Sequence, residues 1–318
     1  MSPSAAESWP EAVALAERMA GQANGSVRVV LMYGSWILKT NPDRHSALDF
    51  VVVVDDYRTF YRALEDHAEL GHPSGVMAAF SRVLTPNVIA YVPDDGALGI
   101  AKCLVISKPD FERALGPAPP DHFLLGRMVQ RVGVLWTESG AEASWIRSVI
   151  AGAHARVIEW MAPYLIDSFD ASGLGRRILE VCYRGELRPE SRGRAGRVFE
   201  AQADHFGQAL APGLEAAVRA GTLRALEGGR YELASAPPPS VRRRWRWHFR
   251  RSKARATMRW LKHMVTFANW LPYIVRKVER HTGRTIELTR LERALPLLFL
   301  WPRALHVLVT RPKRELKR

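Results

Sequence analysis

Two apolar runs, Val27–Met32 and Leu48–Val54, are separated by a break that opens with Tyr33, Gly34 and Ser35, and the second run carries one carboxylate, Asp49, near its start. These residue types suit phosphate chemistry. Glycine lets backbone approach an anion, a serine hydroxyl donates to a phosphate oxygen, and a carboxylate holds Mg²⁺ against the phosphates. An acid inside an apolar strand is expected to be paired or to hold a metal, because unpaired charge in a low dielectric is costly. Asp55 would share the face of Asp49, but at six residues' remove, roughly 20 Å at strand rise, it cannot share a metal with it. The plain alternative is an incidental Gly-Ser turn and a salt-bridged aspartate.

The elements that must position these residues follow from periodicity and breakers. Asn87–Val92 and Ile100–Ser107 read as further strands on either side of a Pro-Asp-Asp-Gly turn, and residues 7–20 and Tyr57–Leu70 read as helices. Helical spacing then dominates: Pro109–Leu115, Asp121–Leu135 with Asp121 as its cap, Ala141–Ile166, Leu174–Leu187 and Ala195–Leu210. Two strands joined through a Gly-Ser turn, with an acid on the second, resemble the core of polymerase-β-like nucleotidyltransferases. The expected class is α/β (α+β), with a mixed-sheet domain over residues 1–108, a helical domain over 109–236 that closes the site, and a basic amphipathic region over 237–318, the boundary falling within the linker Ser235–Ser240.

The chain has 318 residues, 47% of them hydrophobic and 25% charged, enough for a sizeable core and about two domains. Its two cysteines, Cys103 and Cys182, sit in apolar surroundings without metal-ligand spacing, which predicts core thiols in a reducing compartment. The first twenty residues contain acids and show no signal-peptide order, so cytoplasmic residence is expected. No apolar run approaches the roughly 20 residues of a membrane span.

Charge is unevenly placed. From Pro237 onward there are 22 Lys/Arg against 4 Asp/Glu, which leaves 24 against 28 for the rest. A slightly acidic body thus carries a strongly basic appendage, and the implied partner is a polyanion. Residues 241–265 hold ten Lys/Arg and no acid, interleaved with Trp245, Trp247, Phe249 and Trp260. Such a helix suits an anionic membrane surface, with Arg243, Arg244, Trp245, Trp247, Arg250 and Trp260 as its contacts. Nucleic acid is the alternative polyanion, and a basic helix packed on the body is the third reading.

Five segments in order carry a resemblance: Tyr33–Ser35 (YGS) with Leu48–Asp56 (LDFVVVVDD), Ile100–Ser107 (IAKCLVIS), Phe123–Val132 (FLLGRMVQRV) and Cys182–Arg188 (CYRGELR). Together they resemble the mitochondrial-type phosphatidate cytidylyltransferases, peripheral CDP-diacylglycerol synthases also described as translocator assembly and maintenance proteins. The resemblance covers about residues 27–206, with Trp36 where the family has a second glycine. It implies that Tyr33, Gly34, Ser35, Lys102, Arg127 and Gln130 bind the nucleotide, that Asp49 and Glu186 hold Mg²⁺, and that Asp49, Lys102, Glu186 and Arg188 form the catalytic set. It further implies CTP and phosphatidic acid as substrates and residence on the inner face of a membrane. A different lipid, small-molecule or RNA acceptor, or an inactive membrane-bound scaffold, are the competing expectations.

Overall fold

A computed structural model of the chain describes residues 8–39, 47–93, 100–185, 194–266 and Thr289. Valine-rich segments form its central strands: β1 (Val27–Tyr33), β2 (Leu48–Val54) and β5 (Ala101–Ser107) are apolar along nearly their whole length. Strands with that composition are stable only when both faces are covered. They are covered by α1 (Pro10–Gln22), α4 (Lys108–Leu115) and α6 (Gly140–Ala155), which pack on β1, β2, β5 and β6 (Gly133–Thr137). With β3 (Ala68–Glu69) and β4 (Asn87–Tyr91), the strands make a six-stranded mixed sheet in the order β3-β4-β5-β2-β1-β6. Only β2 and β5 run parallel; every other neighbouring pair is antiparallel.

Several expectations are corrected. The helix expected over Tyr57–Leu70 stops early as α2 (Tyr57–Ala63), and the chain then forms β3. Asp121 does cap a helix, accepting from the Phe123 N–H at 3.0 Å, but that helix, α5 (His122–Met128), stops short of Leu135. The residues beyond it form β6, which pairs antiparallel with β1 and so satisfies that strand's outer backbone groups. The sheet therefore does not end near residue 108; its last strand comes from the segment expected to be wholly helical. The long helix expected over Ala141–Ile166 breaks at Arg156 into α6 and α7 (Val157–Met161), followed by a single 3₁₀ turn, Ala162–Tyr164. After α3 (Ser74–Arg82) and α8 (Ala171–Arg184), the Ala195–Leu210 segment is likewise two helices, α9 (Arg194–Glu200) and α10 (Ala203–Arg219). A small hairpin, β7 (Leu223–Leu226) and β8 (Arg230–Leu233), precedes the last described helix.

That helix, α11 (Pro239–Thr266), contains most of the basic stretch and packs on β4, α3 and α5. Its packed face is largely polar: Ser252, Arg255, Arg259, Lys262 and Thr266 recur at helical spacing, and all but the half-buried Arg255 are buried. Each finds a partner. Ser252 Oγ accepts from the His122 N–H at 2.9 Å, and Arg255 and Arg259 donate to Asp121 Oδ2 at 2.8 and 2.6 Å. Lys262 Nζ lies within 3.2 Å of four carbonyls, those of Phe80, Val83, Leu84 and Pro86, in the segment joining α3 to β4. The opposite face is exposed and partly apolar, with Trp247 68%, Met258 56%, Leu261 39% and Val265 39% accessible. Among the expected membrane contacts, Arg243, Arg244, Trp247, Arg250 and Trp260 are exposed, but Trp245 is not: only 6% accessible, it packs edge-on against His248. No helix among the described residues is long and apolar enough to cross a membrane.

Candidate active site

Strand register brings the predicted residues into one row. Tyr33 on β1 pairs with Asp49 on β2, and Asp49 pairs with Lys102 on β5, so all three side chains rise from one face at one end of the sheet. Lys102 Nζ stands 4.0 Å from Asp49 Oδ1, with the two side chains 37% and 29% accessible. That separation exceeds a hydrogen bond. The pair is an open, water-accessible arrangement of opposite charges, unlike a closed buried ion pair.

Gly34 follows β1 directly and has φ +86°, where L side chains are strained. A Cβ added there would meet Asp49 Oδ2 at 2.8 Å. Both the backbone conformation and the space therefore require glycine, and the turn lies directly against the carboxylate. Ser35 continues that turn, half-buried.

Arg127 reaches the same end from α5. Its guanidinium stacks 3.7 Å from the Phe123 ring centroid, lies 6.0 Å from that of Tyr33, and donates to the Phe123 carbonyl. Phe123 carries a second guanidinium, that of Arg259, at 4.4 Å. A planar cation over an aromatic face is held without losing its in-plane donors. Gln130 serves elsewhere: its amide donates to the Gly126 carbonyl and accepts from Gln202 Nε2 at 3.2 Å, while Gln202 Oε1 accepts from the Arg131 N–H at 2.8 Å. It ties α5 to the start of α10 and is not part of the Tyr33–Asp49–Lys102 row. Glu186 and Arg188 lie outside the described residues.

His263 on α11 is a neighbour that the sequence did not single out. Burial, reinforced by Lys262, Lys102 and Arg259, drives its imidazole well below the usual histidine range, so it is neutral beside the row. Its ring lies 6.5 Å from that of Phe123. The only sequence signal was a histidine in the last turn of a strongly basic helix. Cys103, next to Lys102 on β5, is a buried thiol pushed upward by burial and by Asp49, which makes it a core residue as expected.

Among the described residues, no group of three or more His, Cys, Asp or Glu side chains is arranged to ligate a metal. Asp49 alone fits the usual Mg²⁺ case, in which one or two carboxylates share the ion with substrate phosphates and water. The row thus suits an ion carried in with a polyphosphate better than one caged by protein. The chain matches no family model and no curated protein.

Proposed function

We propose that the protein is a Mg²⁺-dependent nucleotidyltransferase of the polymerase-β-like fold that joins CTP to the phosphate of phosphatidic acid, giving CDP-diacylglycerol and pyrophosphate. The observation that carries the transferase reading is the contact of the Gly34 turn with Asp49, with Lys102 alongside. The choice of base and lipid rests on the five-segment resemblance.

In this reading the Gly34 backbone and the Ser35 hydroxyl hold triphosphate oxygens. Lys102 supplies a point charge to a phosphate, and Arg127, braced on Phe123, offers a guanidinium fork. Asp49, with Glu186, would hold Mg²⁺, which when bound neutralises phosphate charge. An oxygen of the acceptor phosphate attacks the α-phosphorus of CTP as the bond to the pyrophosphate oxygen breaks. The acceptor is already anionic near neutral pH, so no strong general base is needed, and the residues act by alignment and charge stabilisation. The exposed face of α11, apolar residues flanked by arginines, would rest on an anionic membrane where such a lipid resides.

The test is pyrophosphate release with Mg²⁺ and each of the four common ribonucleoside triphosphates, with and without vesicles containing phosphatidic acid, for the parent and Asp49→Ala. Release that needs CTP, phosphatidic acid and Asp49 together is the expected result. Mg²⁺-dependent nucleotide binding without release would move the acceptor elsewhere. No nucleotide binding at all would overturn the transferase reading in favour of a scaffold.

A further inference from the structure

A cavity of about 550 Å³ lies between α11, the C-terminus of α3, α4 and the proline-rich turn at residues 117–120. It does not include the Asp49 row. The segment containing Leu84 and Thr85 enters β4 at Asn87, which pairs with Val105, whereas Lys102 pairs with Asp49 three residues earlier on β5, an offset of roughly 10 Å at strand rise.

Among the described residues, five arginines line the cavity, Arg82, Arg113, Arg244, Arg251 and Arg255, and no acidic residue does. Some are already engaged: Arg255 with Asp121, Arg113 with Asp110, and Arg82 loosely with Asp56 at 3.6 Å across an exposed gap. Arg244 and Arg251 have no acidic partner among the described residues. With His248 and Arg255 they form one stripe of α11, about 16 Å long at helical rise. Trp245 and His248 also line the cavity.

We propose that this cavity is a second anion site that binds a phosphate-bearing ligand, with Arg244 and Arg251 as its principal cations. Guanidinium groups recognise phosphate oxygens in a bidentate manner. The uniformly positive lining excludes cations. Leu84, the prolines and the Trp245 ring provide an apolar wall that free inorganic ions do not need but an organic phosphate would use. The site is distinct from that of the proposed transfer reaction, since none of its lining residues belongs to the Asp49 row.

The experiment is calorimetric titration of the full chain with inorganic pyrophosphate, without divalent cations so that the Asp49 row contributes little. The Arg244→Ala/Arg251→Ala double variant, at two exposed positions, is expected to bind at least tenfold more weakly. Arg246→Ala/Arg250→Ala, the same charge change outside the cavity, is expected to bind as the parent does. Binding should also raise the His248 imidazole pKa in a proton NMR titration, since burial and the charges of Arg251 and Arg244 now hold it down. No pyrophosphate binding, or equal losses in both arginine pairs, would overturn the proposal. Competition by phosphatidic acid vesicles but not phosphatidylcholine vesicles would identify a lipid headgroup as the source; no competition would identify a soluble phosphate.

Discussion

Arg259 and Asp121 lie 138 residues apart in the chain yet meet at 2.6 Å, with their side chains 1% and 5% accessible. Burial alone would push the Asp121 carboxyl upward, but the charge of Arg259 and hydrogen bonds from Arg255 and Arg259 outweigh it and hold the group below the usual carboxylate range. The same aspartate caps α5, so one side chain fixes both the helix that carries Arg127 and the seat of α11. Removing Asp121 leaves the buried Arg259 guanidinium without its counter-charge, whereas removing Arg259 leaves Asp121 still paired with Arg255. Asp121→Asn should lower stability by about 3–5 kcal/mol in urea denaturation. Adding Arg259→Met to it should cost less than the sum of the two single changes, because the stranded charge is gone; additive losses would show that the pair is not coupled.

Gly34→Ala puts a methyl group where Asp49 Oδ2 stands, on backbone whose φ is +86°. The backbone penalty is about 1–2 kcal/mol, within what the domain should tolerate. The methyl can be accepted only if the turn or the Asp49 carboxylate shifts, and either movement separates the two. Mg²⁺-dependent nucleotide binding should therefore weaken at least tenfold while the circular dichroism spectrum stays that of the parent.

Lys102→Ala removes the cation beside Asp49 without touching the core, since the side chain is 37% accessible. The turnover rate for pyrophosphate release should fall by roughly 10²–10³, as expected when a charge that stabilises the transition state is lost. Stability should change by less than about 0.5 kcal/mol, as for most surface substitutions.

His154 and His205 lie with ring centroids 5.8 Å apart under α10, and His154 Nε2 is 3.1 Å from the Val129 carbonyl oxygen. Burial lowers the His154 imidazole; burial, then the neighbouring His154 and Arg131, lowers that of His205 to about 4. In the unfolded chain a histidine titrates near 6.5. Between that pH and about 4 the unfolded state holds a proton on His205 that the folded state does not, so stability falls as pH falls through this window and is flat above it. Urea midpoints measured from pH 7.5 to 4.5 should fall in the parent and fall less steeply in His205→Asn.

Trp247 and Met258 project from the exposed face of α11 with most of their surface in water. Trp247→Ser/Met258→Ser should leave the urea midpoint unchanged and lower affinity for vesicles containing phosphatidic acid about tenfold, the scale of lost apolar burial. Unchanged vesicle affinity would argue that this face meets something other than a bilayer.

The valine-rich strands and the Gly-Ser turn were legible because apolar runs and glycine act locally, and pairing then aligned Tyr33, Asp49 and Lys102. β6 was not: Gly133–Thr137 has no alternating pattern and follows α5 closely, and only the free edge of β1 makes it a strand. Gln130 matched a motif position, yet its partner Gln202 lies 72 residues away and could not be read from spacing. The seat of α11 was hidden for a related reason. Charged residues at helical spacing ordinarily face water, and the acceptors that reverse this for Arg259 and Lys262 come from residues 80–86 and Asp121, far off in the chain.

The polar seating of α11 from Ser252 to Thr266 has a thermal consequence. A helix docked by apolar burial loosens on cooling, and its release carries a positive heat capacity change. Release of this one would expose guanidinium, ammonium and carbonyl groups, whose hydration lowers the heat capacity. Its hold should therefore vary little with temperature, and α11 should stay on the body in the cold as firmly as in the warm.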